Sequence, residues 1–84
     1  MNTPGSQHIM ERFYSVLDAI IAMEKIKGVA TYCRLYDIDR RNFIAQRKDL
    51  SRGWFQLSWL QPMILYYKVN AEWLLTGHGR MFKE

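Results

Sequence analysis

Thr31-Tyr32-Cys33-Arg34-Leu35-Tyr36-Asp37-Ile38-Asp39-Arg40-Arg41-Asn42-Phe43 holds two helical phases with a break between them. Residues 29–36 suit a short helix, with Tyr32, Leu35 and Tyr36 on one side and the small Cys33 beside them. Asp37-Ile38-Asp39 interrupts it. Aspartate tolerates left-handed backbone better than most side chains, and Asp39 suits an N-cap because its carboxylate can accept a bond from a first-turn amide. A further helix is predicted over residues 40–49, with Phe43 and Leu50 as inward anchors, and Ser51-Arg52-Gly53 ends it. Each part answers a physical need of two helices crossing at a tight turn. Cys33 is small where the helices cross, Asp37 accepts positive φ, and Ile38 plugs the turn. Phe43 points inward, whereas Arg40, Arg41, Ile44, Arg47 and Lys48 cannot all do so. Two short helices joined in this way, the second one basic, describe a helix-turn-helix over residues 29–49.

The flanking sequence extends the helical pattern. Residues 1–5 read as a flexible leader, and Ser6 is the expected N-cap of a first helix. Ile9, Phe13, Val16, Leu17, Ile20 and Ile21 recur at steps of three and four, placing one apolar stripe against a core. That helix is expected to end between Lys25 and Gly28. Residues 54–58 read as a loop with Trp54 and Phe55 packed onto the core. A fourth helix follows over residues 58–67, in which Pro62 fits only near the start. Asn70 caps a fifth helix over residues 71–76, and Gly77 stops it. The fold expected is all-α: a compact five-helix domain over residues 6–84. Its expected core is Phe13, Leu17, Ile20, Leu35, Ile38, Phe43, Leu60, Ile64, Trp73 and Leu74.

Charge is concentrated where the motif lies. Residues 25–52 carry a net +5 and the remainder −1, so the whole formal excess of +4 sits in the central third. A concentrated basic segment attracts a polyanion. The 84 residues suffice for one domain, and the single Cys33 rules out an internal disulfide and a cysteine-rich zinc site. His8 and His78 have no third ligand at metal spacing, so neither metal nor cofactor is expected. Gly77-His78-Gly79 reads as a turn, since no strand precedes it to build a phosphate cradle. No apolar run approaches the roughly 18 residues of a membrane span, and the N-terminal residues lack the pattern of a signal peptide. No paired carboxylates or activated nucleophile appear, so an enzyme is not expected.

Two segments carry a resemblance to a known family. Residues 31–43 are similar to the core motif of the phage-repressor (Cro-like, Xre superfamily) helix-turn-helix. The ending Val69-Asn70-Ala71-Glu72-Trp73-Leu74-Leu75-Thr76-Gly77-His78-Gly79-Arg80-Met81-Phe82 closely resembles the close of such domains, where a capped last helix reads Trp-Leu-Leu-Thr-Gly. Together the resemblance spans about residues 9–82. It implies a lambda-repressor-like fold and a sequence-specific double-stranded DNA-binding regulator, a repressor, in the bacterial cytoplasm and nucleoid. It further implies that Arg40, Arg41 and Asn42 meet base edges in the major groove and that Ile44 and Ala45 contact thymine methyls. Thr31, Arg34, Arg47, Lys48 and Arg52 would grip phosphate. A homodimer on a pseudo-palindromic site is expected, with Leu75, Met81 and Phe82 as candidate dimer contacts, the alternative being that these apolar residues fold back on their own core, and no small-molecule ligand. The chain departs from the family's pattern at Val29, where Gln is frequent, at Asp37, where Gly is usual, and at Gln46, where an apolar residue is usual. A helical protein–protein interaction module, antitoxin-like or a phage-control adaptor, is the alternative. The outward basic residues of the third helix separate the two, because such a module has no need of them.

Overall fold

Thr3 caps the first helix in the computed structural model, which describes residues 3–83. Its hydroxyl accepts a bond from the Ser6 amide at 3.2 Å, and Pro4 follows at the first helical position, where its fixed φ is already helical. The cap therefore lies three residues before the expected Ser6, and Pro4 and Gly5 belong to α1 (Pro4–Ala22) instead of a leader. Met1 and Asn2 lie outside the described residues. At its other end α1 stops short of residues 25–28. Glu24 turns left-handed (φ 60°), its amide bonds Ile21 O at 3.0 Å, and the Lys25 amide reaches back to Ile20 O at 2.9 Å. That paired closure satisfies the last carbonyls without a glycine. The chain then turns Ile26 into the core.

The next break repeats this device. α2 (Val29–Leu35) ends as Asp37 adopts φ 55° and the Ile38 amide bonds Cys33 O at 2.9 Å. α3 (Arg40–Lys48) begins at once, with the Asp39 carboxylate accepting from the Asn42 amide at 3.0 Å. The predicted turn and cap are therefore both present.

The fourth element is divided. A 3-10 turn spans Leu57–Trp59, and α4 covers Gln61–Tyr66. In one continuous helix from residue 58, Pro62 would have had to donate an amide hydrogen to Ser58 O. Restarting the helix at Gln61 moves Pro62 into the first turn, where none is required. α5 (Ala71–Thr76) is capped by the Asn70 side chain and ends at Gly77, φ 82°. The tail then folds back beside residues 68–70. Met81 O accepts from the Asn70 amide and Lys68 O from the Lys83 amide, both at 2.8 Å, around an isolated antiparallel bridge between Val69 and Phe82.

These five helices pack with α1 against α3 and α5, and α2 against α3. Phe13 on α1 sits at the centre, completely buried, with the rings of Tyr14, Tyr32, Phe43 and Phe55 edge-on around it at 5.1–6.1 Å. Phe13, Leu17, Ile20, Phe43, Leu60 and Leu74 are buried as expected. Ile38, Ile64 and Trp73 are only half-buried against the core, and Leu35 is exposed. Leu35 is the last residue of α2, and Tyr32 and Cys33 form its inward side. Trp54 is also exposed, with its ring under the Arg52 guanidinium at 4.9 Å, so of the predicted loop pair only Phe55 packs inward. Among the described residues no helix is long and apolar enough to cross a membrane.

Candidate nucleic-acid interface

α3 is nine residues long and two of its side chains, Phe43 and Gln46, are buried. They stand three apart, on one side of the helix. Phe43 packs on the rings of Phe13, Tyr14, Tyr32 and Trp59. Gln46 replaces the apolar residue expected in that position, yet its amide is fully employed. Nε2 donates to Leu50 O at 3.3 Å and to Met10 Sδ at 3.2 Å, and Oε1 accepts from the Trp54 amide at 2.9 Å. A third fastening comes from α1, where the buried Tyr14 hydroxyl donates to Phe43 O at 2.8 Å. The helix is thus held along its inner side by one ring cluster and two polar clasps.

Its outer side follows from the same register. Residues 40, 41, 44, 45 and 48 fall together at helical spacing, opposite Phe43 and Gln46. Arg40, Arg41, Ile44 and Lys48 are exposed and Ala45 is half-buried. With Val29 and Ala30 from the first turn of α2 they enclose an open trough of about 580 Å³. Four of the five predicted base-contact residues therefore meet on one surface, and Lys48 joins them. Asn42 is exposed on the first turn but stands off the trough.

The remaining predicted phosphate ligands are dispersed. Thr31 is half-buried and Arg34 exposed, both on α2 away from the trough. Arg47 turns toward α1, where Nη2 meets the Asp18 carboxylate at 2.5 Å and the guanidinium lies 5.4 Å from the centre of the Tyr14 ring. Arg52 lies 3.7 Å from Asp49 as well as over Trp54. The Ser51 hydroxyl donates to Asp49 at 2.6 Å, and this bond, with that of the Ser51 amide, holds the carboxyl below its ordinary range. Asp49 accordingly keeps a negative charge beside Arg52.

Of the candidate dimer contacts, Leu75 is exposed, whereas Met81 and Phe82 lie against the core through the folded-back tail. In the sequence Val29 stands out only as a departure from the family's pattern, and nothing points to Ala30 as part of this surface. Only the crossing of α2 over α3 brings them beside Ile44, although the outward set on α3 follows from counting in steps of four. Cys33 is buried at that crossing, and burial pushes its thiol pKa up. Comparison with protein-family models, curated proteins and solved structures found no match.

Proposed function

We propose that the chain is a sequence-specific double-stranded DNA-binding transcriptional regulator, a repressor of the bacterial cytoplasm, acting as a homodimer on a pseudo-palindromic site. One observation carries this. Arg40, Arg41 and Lys48 stand exposed on one side of a helix whose opposite side is fastened to the core, and no acid among the described residues lines the trough between them. A short, rigid, cationic helix beginning immediately after a tight turn suits the major groove, with its first turn toward base edges. The resemblance of residues 31–43 and 69–82 to phage-repressor domains supports the same function. In it Arg40, Arg41 and Asn42 read bases, and Lys48 meets phosphate together with Arg34 and Thr31. Arg47 must first leave Asp18 to do so.

Selection of bound duplexes from a random-sequence library, followed by titration at several salt concentrations, tests the proposal. Arg41→Ala is expected to weaken the selected site by about 1–3 kcal/mol and to relax preference at one base position. Lys48→Ala is expected to weaken selected and scrambled duplexes equally and to reduce the salt slope by about 1. If Arg40→Ala and Arg41→Ala both leave the selected-to-scrambled ratio intact, the role given to α3 is wrong.

A second reading, a helical protein-interaction module, draws on the exposed Leu35, Leu65 and Tyr66, the last stacked on Tyr36 with ring planes 7° apart. Wild-type protein that binds no duplex even at low salt would favour it.

A further inference from the structure

The trough between α2 and α3 is lined by three cationic side chains, Arg40, Arg41 and Lys48, and four apolar ones, Val29, Ala30, Ile44 and Ala45. The cations alone would serve any polyanion. The apolar side chains cannot hydrogen-bond a base edge, so they gain only from an apolar group presented beside negative charge. On the major-groove edge of unmodified DNA the four base pairs present hydrogen-bonding groups and a single apolar one, the 5-methyl of thymine. Resting on the DNA-binding function proposed for α3, we infer that this trough seats a thymine methyl between the two helices, making Val29 and Ala30 of α2 specificity-determining residues alongside Ile44.

Two features suit these apolar side chains to this task. Ile44 is exposed, with 38 % of its surface open, on a helix otherwise tied down, so its side chain is displayed and held in place. Val29 and Ala30 open α2 directly after Gly28, where the backbone is extended and no cap side chain stands in the way. Val29 and Ala30 give the trough a second wall, from α2, where there would otherwise be contact along one helix.

The test changes the DNA before it changes the protein. In the duplex selected by wild type, each thymine is replaced singly by deoxyuridine, which removes the methyl and keeps every hydrogen-bonding group. Burial of one methyl-sized group corresponds to about a four-fold change in affinity. Substitution at one or two positions per half-site is therefore expected to weaken binding about four-fold. The same comparison is then made with Ile44→Ala and with Val29→Ala, after their thermal unfolding shows them folded. In each the thymine-to-uracil loss should shrink below about two-fold, since the wall that met the methyl is gone. If wild type binds its selected duplex but tolerates uracil at every position, the methyl seat is wrong while DNA binding stands. Full discrimination kept by Val29→Ala removes α2 from the reading of bases. If wild type binds no duplex at low salt, the DNA-binding function fails and the methyl seat with it.

Discussion

Gln46 is a polar side chain in a place that packing alone would give to leucine or methionine. Its amide joins three segments: α1 through Met10, the end of its own helix through Leu50, and the following loop through the Trp54 amide. Burying an amide is tolerated only when its bonds are made, and here they are; no buried side-chain nitrogen or oxygen among the described residues lacks a partner. Gln46→Leu would keep the volume and strand the Trp54 amide. It is expected to lower stability by about 1–3 kcal/mol in urea unfolding. Equal or greater stability of the leucine variant would mean that the amide merely fills space. The inward direction of position 46 is readable from its three-residue spacing to Phe43. That a glutamine there would be satisfied is not, because its partners come from residues 10, 50 and 54, which only the fold brings together.

The helices end at three non-glycine residues with left-handed backbone: Glu24 (φ 60°), Asp37 (φ 55°) and Lys68 (φ 58°). Such a conformation costs a residue with a Cβ roughly 1–2 kcal/mol, against roughly 0.5–1 kcal/mol for the backbone entropy that glycine loses on folding. Glu24→Gly and Lys68→Gly are each expected to stabilise the protein by about 0.5–1 kcal/mol, and Asp37→Gly by less, because aspartate is at home there. Denaturant midpoints of the three variants check this order. Element boundaries were unevenly legible for the same reason. Asp37, Asp39, Asn70 and Gly77 are residues that announce a turn, and the turn or cap falls at each of them. Glu24 and Lys68 announce nothing, and the early end of α1 went unseen with them. The division at Pro62 was half legible: proline demanded a helix start nearby without saying that a 3-10 turn would precede it.

The whole molecule has a radius of gyration of 12.1 Å, close to the value of about 12 Å for a packed chain of this length. Compactness is achieved around aromatic rings, and two of these bury hydroxyls. Tyr14 donates to Phe43 O and Tyr32 to Trp59 O. Burial pushes both phenols well above their ordinary value of 10.0. The fold accepts the neutral phenol, so the stabilisation is fully present below the unfolded value near 10 and is lost as pH climbs through the raised ones. Urea unfolding is therefore expected to show a stability that falls with rising pH above about pH 10. Tyr32→Phe should flatten part of that fall. A fall of the same steepness in both Tyr14→Phe and Tyr32→Phe would assign it to other groups. The five-helix count and most of the core were legible in the periodicity. The return of the tail was legible only as the alternative to a dimer contact for Met81 and Phe82, because the main-chain bonds that fix it, Met81 to residue 70 and Lys83 to residue 68, leave no side-chain signature.

The buried Cys33 has a kinetic consequence. The chain has one thiol, and it lies where α2 crosses α3, 3 % exposed. A thiol reagent in solution can reach it only when the two helices part or the domain opens altogether. The rate of its modification is therefore a clock for that opening, read at a single atom and without any engineered label. A ligand bound across α2 and α3 holds the closed form and slows the clock in proportion to its occupancy. A ligand bound elsewhere to the folded protein slows only global opening, so the clock distinguishes where on the molecule a ligand sits as well as whether it binds.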